Sequence, residues 1–158
     1  MAEGTSPSRD EFLDSISGID LNHDGKVISL IICGNSRFYN YGWVEEQLGQ
    51  WVKFNGYPDV IILGGASGVD VLAERWADNN NIALRVFTEM WSSPRPNQVE
   101  DSGRPEATEM MGQTMIQYAT HMLAFPGPKS KWTRRMIEIA KENKLNTVVI
   151  ELPMGHED

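Results

Sequence analysis

Residues 59–79 read DVIILGGASGVDVLAERWADN, and their pattern changes twice. Asp59–Leu63 is a short apolar run rich in β-branched side chains, the composition of a strand buried on both faces. Gly64 and Gly65 break it. From Val69 to Asn79 the apolar residues Val69, Leu72, Ala73 and Trp76 fall on one helical face, and Asn79-Asn80-Asn81 ends the helix. This strand, glycine turn and helix form a unit that recurs along the chain.

Upstream, Val27–Cys33 is a second buried-strand run, ending at Gly34, and Trp43–Phe54 has near-helical apolar spacing. Downstream, Ile82–Phe87, His121–Phe125 and Thr147–Leu152 read as strands. Glu106–Ala119 and Thr133–Asn143 read as helices, and residues 92–105 as a loop. Strands alternating with helices imply right-handed crossovers and a single, mainly parallel sheet covered on both faces. The expected fold is a doubly wound, three-layer, Rossmann-like α/β domain over residues 26–152. Residues 1–25 read as an acidic N-terminal tail, with Phe12, Leu13, Ile16 and Ile19 as a short apolar pattern, and 153–158 as a C-terminal tail.

Composition narrows the function. The 158 residues suit one domain. No apolar run reaches the length of a membrane span, and the polar first residues are not a signal peptide. One cysteine, Cys33, excludes an internal disulfide and fits a reducing, cytoplasmic setting; with three histidines it argues against a structural zinc site. The expectation is no metal and no cofactor. Net charge is −8, but residues 1–25 alone carry six acids against one arginine. The rest is near neutral, so nucleic acid is not the favoured partner. Lys129, Lys131, Arg134 and Arg135 form one local basic cluster without an acid between them.

In open α/β sheets ligands bind beyond the carboxyl ends of the strands. The four segments there are Gly34-Asn35-Ser36-Arg37, GGASGVD (64–70), Thr88-Glu89-Met90-Trp91 and PGPKSKWT (126–133). In GGASGVD, Gly64, Gly65 and Gly68 let backbone approach an anion at a helix N-terminus, or simply make a tight turn. Asp70 is placed to accept from a sugar hydroxyl or base, or to favour the helix start. The PGPKS loop repeats the arrangement: Ser130 and Thr133 can donate to phosphate. Basic side chains at a helix start are otherwise unfavourable. Arg37 is a third cation, with a surface ion pair as its alternative.

Other features carry less chemistry. Asp20, Asn22, Asp24 and Gly25 imitate the front of a calcium loop. Its twelfth position is Ile31 rather than Glu, so the stretch reads as a polar turn. Cys33 and the tryptophans at 43, 51 and 76 read as core. His121 starts a strand, away from the binding edge. Trp91 and Trp132 follow strands, where a base could stack on them.

Three blocks are similar to a known family. CGNSRFYNYGWVEEQL (33–48), GGASGVDVLAERWA (64–77) and AFPGPKSKWTRRMIEIA (124–140) resemble, in order, the motifs of the YspA/YpsA-related branch of the SLOG superfamily. The blocks span about residues 28–150, and the second is the most specific. The resemblance implies a Rossmann-like domain that binds nucleotides or nucleotide-derived molecules, in some members as a sensor. It implies ligand contacts at Gly34, Ser36, Arg37, Gly64, Gly65, Gly68, Asp70, Gly127 and Thr133. It also implies a homo-oligomer, for which the tryptophan-bearing helices offer surfaces. Relatives include the LOG phosphoribohydrolases, N-glycosidases acting on nucleoside monophosphates, and the DNA-binding DprA. The chain departs from the LOG pattern. Met136 stands where the catalytic Glu is expected, Met111-Gly112 replaces an Arg-Asn pair, and Thr120-His121 replaces Ala-Asp. An N-glycosidase would need Asp70, Glu89 or Glu138 as its carboxylate. The sequence therefore points to a phosphate-bearing nucleotide held by backbone amides of GGASG and PGPKS and oriented by Arg37 and Asp70.

Overall fold

A computed structural model of the chain describes residues 20–64, 68–87 and 104–153, the side chains of 104–110 excepted. Its elements, in chain order, are β1 (Ser29–Gly34), α1 (Tyr41–Asn55), β2 (Val60–Leu63), α2 (Val69–Asn79), β3 (Ala83–Val86), α3 (Arg104–Gln117), β4 (His121–Phe125), α4 (Lys131–Glu142) and β5 (Asn146–Val149). The strands form one parallel sheet in the order β3-β2-β1-β4-β5. The expected α/β architecture is what forms, and each expected strand and helix has its counterpart.

The alternation of side chains along each strand sorts the core into two layers. Leu30, Ile32, Ile61, Leu63, Leu123 and Phe125 face α1 and α2, together with Trp51 and Trp76. Ile31, Cys33, Val60, Ile62, Met122 and Ala124 face α3 and α4, against Met115, Met136 and Ile139. A sheet apolar on both faces explains why these strands read as continuous apolar runs. Trp43 is half-buried and meets Phe38 and Phe125 edge-on, both at 5.4 Å between centroids.

Local chemistry sets the boundaries. Asn40 caps α1 by accepting from the Trp43 amide at 3.1 Å, so the helix begins before the tryptophan that opens its apolar pattern. α3 begins at Arg104, two residues inside the segment read as loop. Pro105 falls in its first turn, where a missing N–H costs nothing. β5 ends at Val149 rather than Leu152. The Ile150 amide still donates to Ala124 O at 2.8 Å and Leu152 to Pro126 O at 3.1 Å, so the extended pairing outlasts the strand. Residues 20–25 form the polar turn read from the sequence: Asp20 accepts from the amides of Asp24 and Gly25, at 3.1 and 2.6 Å. Asp59, buried at the start of β2, accepts from the amides of Asn22 and Ile28, at 3.0 and 2.7 Å. The apolar pattern at 12–19, the segment 88–103 and the C-terminal residues 154–158 lie outside the described residues.

The strand order matters most for function. From β1 the chain winds through β2 to β3 on one side, then crosses to β4 and β5 on the other. The loops leaving β1 and β4 therefore diverge to opposite faces between two adjacent strands. That is the switch point where such sheets open a crevice.

Gly68 locks α2 against this point. It has φ +60°, and a Cβ there would overlap the Asn35 carbonyl oxygen and the Ser36 backbone. Gly68→Ala is expected to lose more than ~2 kcal/mol in urea unfolding, through strained dihedrals and a backbone clash. Gly49, in α1 with open space around it, is the opposite case: Gly49→Ala should gain up to about 1 kcal/mol in the same measurement.

Candidate functional site

The turn after β1 is built by Asn35, a buried polar residue. Its amide donates to Phe125 O at 3.2 Å, tying it to the end of β4, and its carbonyl accepts from the Val69 amide at 3.0 Å, tying it to α2. Its Oδ1 accepts from the Arg37 amide at 2.7 Å, closing an Asx-type turn, and its Nδ2 donates to Ser130 Oγ at 3.3 Å. Ser130 Oγ also accepts from the Gly127 amide at 2.8 Å. One asparagine thus joins all three glycine-containing loops.

Between the β1 and β4 loops lies a cleft of about 360 Å³, lined by residues 34–37 and 129–133. Its floor is the N-terminus of α4. The Arg134 amide donates to Ser130 O at 3.0 Å, the first bond of the helix. Among the described residues the amides of Trp132 and Thr133 meet no acceptor. The first turn has no acidic residue to face the positive end of the dipole. Instead Lys129, Lys131 and Arg37 line the cleft, and no carboxylate among the described residues pairs with them. Two of the four basic residues in this cluster are committed elsewhere. Arg134 donates to Gly127 O at 2.7 Å and pairs with Glu151 at 3.0 Å. Arg135 pairs with Glu138 at 3.0 Å. Trp132 is half-buried beside Gly112, where a Cβ would press on its ring.

Of the residues singled out from the sequence, the cleft collects Gly34, Ser36, Arg37, Ser130 and Thr133. Gly127 stands behind it, its amide spent on Ser130. Gly34 and Gly64 answer to packing. A Cβ on Gly34 would press on Phe125 O and Val69, and one on Gly64 would press on Met115 Sδ. Gly65 lies outside the described residues, as do Glu89 and Trp91. Glu138 is exposed and paired with Arg135, not turned into the cleft. Met136, at the position of the expected Glu, is buried core. Asn35 is the residue that sequence reasoning passed over. An Asn directly after a strand-ending Gly, two residues before Arg37, is an Asx-turn signal that could have found it.

Asp70 sits in the first turn of α2, outside the cleft lining. Its Oδ1 is enclosed and has no hydrogen-bond partner. Burial pushes its pKa from an ordinary 3.8 to about 7. Burial and the nearby Asp70 charge both push the Cys33 thiol up, so Cys33 is no nucleophile at neutral pH.

This is a Rossmann-like α/β domain with a cationic cleft at the switch point of its sheet. A family model, YAcAr, described as the YspA, cpYpsA-related SLOG family, matches residues 28–93, from the start of β1 past β3. The resemblance to this family that the motifs carry is thereby shown over that segment. No curated protein and no solved structure matches the chain.

The Asp70 pKa fixes a pH dependence. Its folded value lies above the unfolded one, so the native state holds an extra proton between about pH 4 and 7. Its contribution to stability therefore falls as pH rises through that window. Asp70→Asn should melt higher than the parent at about pH 8, by up to about 4 kcal/mol in stability. The advantage should vanish near pH 4, as followed by thermal unfolding at both pH values.

Proposed function

We propose that the chain binds a phosphate-bearing nucleotide, or a small molecule derived from one, with its phosphate in the cleft between residues 34–37 and 129–133. The observation that carries this reading is the cleft itself. A helix N-terminus with two unpartnered amides meets three cations at the switch point of a parallel sheet. Lys129 and Lys131 lie at the unfavourable end of the α4 dipole. Each such placement costs about 0.3–1 kcal/mol, a cost an anion reverses. A volume of about 360 Å³ is at the small end for ligand sites, the scale of a mononucleotide rather than a dinucleotide. Trp132 offers a face for a base.

The function is binding, in a sensing role, rather than hydrolysis. An N-glycosidase needs a carboxylate beside the ribose to support the oxocarbenium charge. With Glu138 paired in solvent and Met136 in the core, Asp70 is the candidate left among the described residues. We place the protein in the cytoplasm and take it to self-associate. No described helix is long and apolar enough to cross a membrane.

Calorimetric titration with AMP tests this. Arg37→Glu and Lys131→Glu should each weaken binding at least tenfold, or about 1.4 kcal/mol. Lys141→Glu, at the far end of α4, should leave it unchanged. Binding that ignores the first two substitutions contradicts the placement. Free adenine in the mixture contradicts a purely binding role.

A further inference from the structure

The cleft carries more positive charge than one phosphate group uses. At the start of α4 the amides of Trp132 and Thr133 meet no acceptor among the described residues. Thr133 lines the cleft and is only 3% exposed, yet its hydroxyl has no hydrogen-bond partner among the described residues. Two amides and a buried hydroxyl make three donors, which matches the three acceptor oxygens of one phosphate group. Its charge of about −2 is met by Lys131, beside those donors, and by Arg37 from the other wall. The two walls touch at their base, where Asn35 Nδ2 lies 3.3 Å from Ser130 Oγ.

Lys129 is then a cation in excess. It lines the same cleft, where no carboxylate among the described residues pairs with it. It precedes Ser130, the cap residue of α4, and its carbonyl accepts from the Lys131 amide at 2.9 Å. That bond holds it just beyond the positive end of the helix. A third cation there adds repulsion from Arg37, Lys131 and the dipole. One phosphate does not offset it. A second phosphoryl group, joined to the first through a bridging oxygen, brings the missing negative charge. It would extend past the first turn of α4, on the side where Lys129 stands.

Resting on the reading of the cleft above, we propose that Lys129 is a specificity-determining residue that meets a second phosphoryl group. The preferred ligand class is then a nucleoside diphosphate rather than a monophosphate. One phosphoryl group takes the donors of Trp132 and Thr133, and its neighbour takes the Lys129 ammonium as a charge-assisted partner.

The test is calorimetric titration at about 0.15 M salt, which screens long-range attraction. EDTA keeps divalent ions off the phosphates, so that the cations of the protein alone are read. The parent protein should bind ADP at least about tenfold more tightly than AMP, and pyrophosphate more tightly than phosphate. Lys129→Gln should cut the ADP-to-AMP ratio by about fivefold or more. Lys141→Gln removes the same charge at the far end of α4 and should leave the ratio as it was. Both side chains are exposed, so both variants should melt as the parent does. Equal affinities for AMP and ADP in the parent overturn the proposal. So does a ratio that survives Lys129→Gln, or one that both substitutions lower equally. If AMP binding still depends on Arg37 and Lys131 in those cases, the phosphate site stands and only the role of Lys129 falls. If neither nucleotide nor pyrophosphate binds, the phosphate reading has failed and this proposal with it.

Discussion

The hydrogen bonds of Asn35 hold the functional edge of this molecule together. Four of its polar groups are used by four different segments: the end of β4, the start of α2, its own turn and the loop before α4. The residue is buried, so each bond is made in a low-dielectric setting where leaving a partner unpaired is costly, about 1–3 kcal/mol. The cleft exists because this residue keeps the β1 and β4 loops apart yet registered. Gly68 completes the constraint from the other side, since only a residue without a Cβ can bring α2 that close to Asn35.

Around this frame the chain accepts arrangements that cost stability. Lysines stand at the positive end of α4, two amides of its first turn lack acceptors, and a buried carboxylate at α2 lacks a donor. Each is unfavourable in the isolated fold, and all three lie along one edge of the sheet. Natural domains concentrate such costs where a ligand relieves them. At the opposite edge most of the polar groups named above are paired, although Ser29 Oγ at the start of β1 is enclosed without a partner. Asp20 accepts from the amides of Asp24 and Gly25, Asp59 from those of Asn22 and Ile28, and Thr120 Oγ1 donates to Ser29 O at 3.2 Å and accepts from Ser29 N at 2.9 Å.

Much of the fold was legible because its signals are local. Strands buried on both faces, such as Leu30–Ile32 and Val60–Leu63, can only be written as apolar runs, and α2 was read to the residue from Val69 to Asn79. The edge strand β5 was read less sharply, since three of its four residues are exposed and carry little burial signal. The site was legible only in part. That Arg37 and Ser130 share a cleft depends on β1 lying beside β4, a pairing 91 residues apart that no local pattern encodes. The glycines carry a second meaning that the sequence did not separate. Gly34 and Gly64 read as ligand loops, and each also lies against the core: a Cβ on Gly34 would press on Phe125 O and Val69, and one on Gly64 on the end of the Met115 side chain. Close packing and close ligand approach ask for the same residue.

The central claim is that the phosphate of a nucleotide lies in the cleft between the β1 and β4 loops. A crystal structure of the protein grown with AMP tests it most directly. The phosphate should appear at the start of α4, within about 3 Å of the Trp132 or Thr133 amide and within reach of Arg37 and Lys131. A phosphate found elsewhere on the molecule, or a cleft holding only water at saturating AMP, would contradict the account.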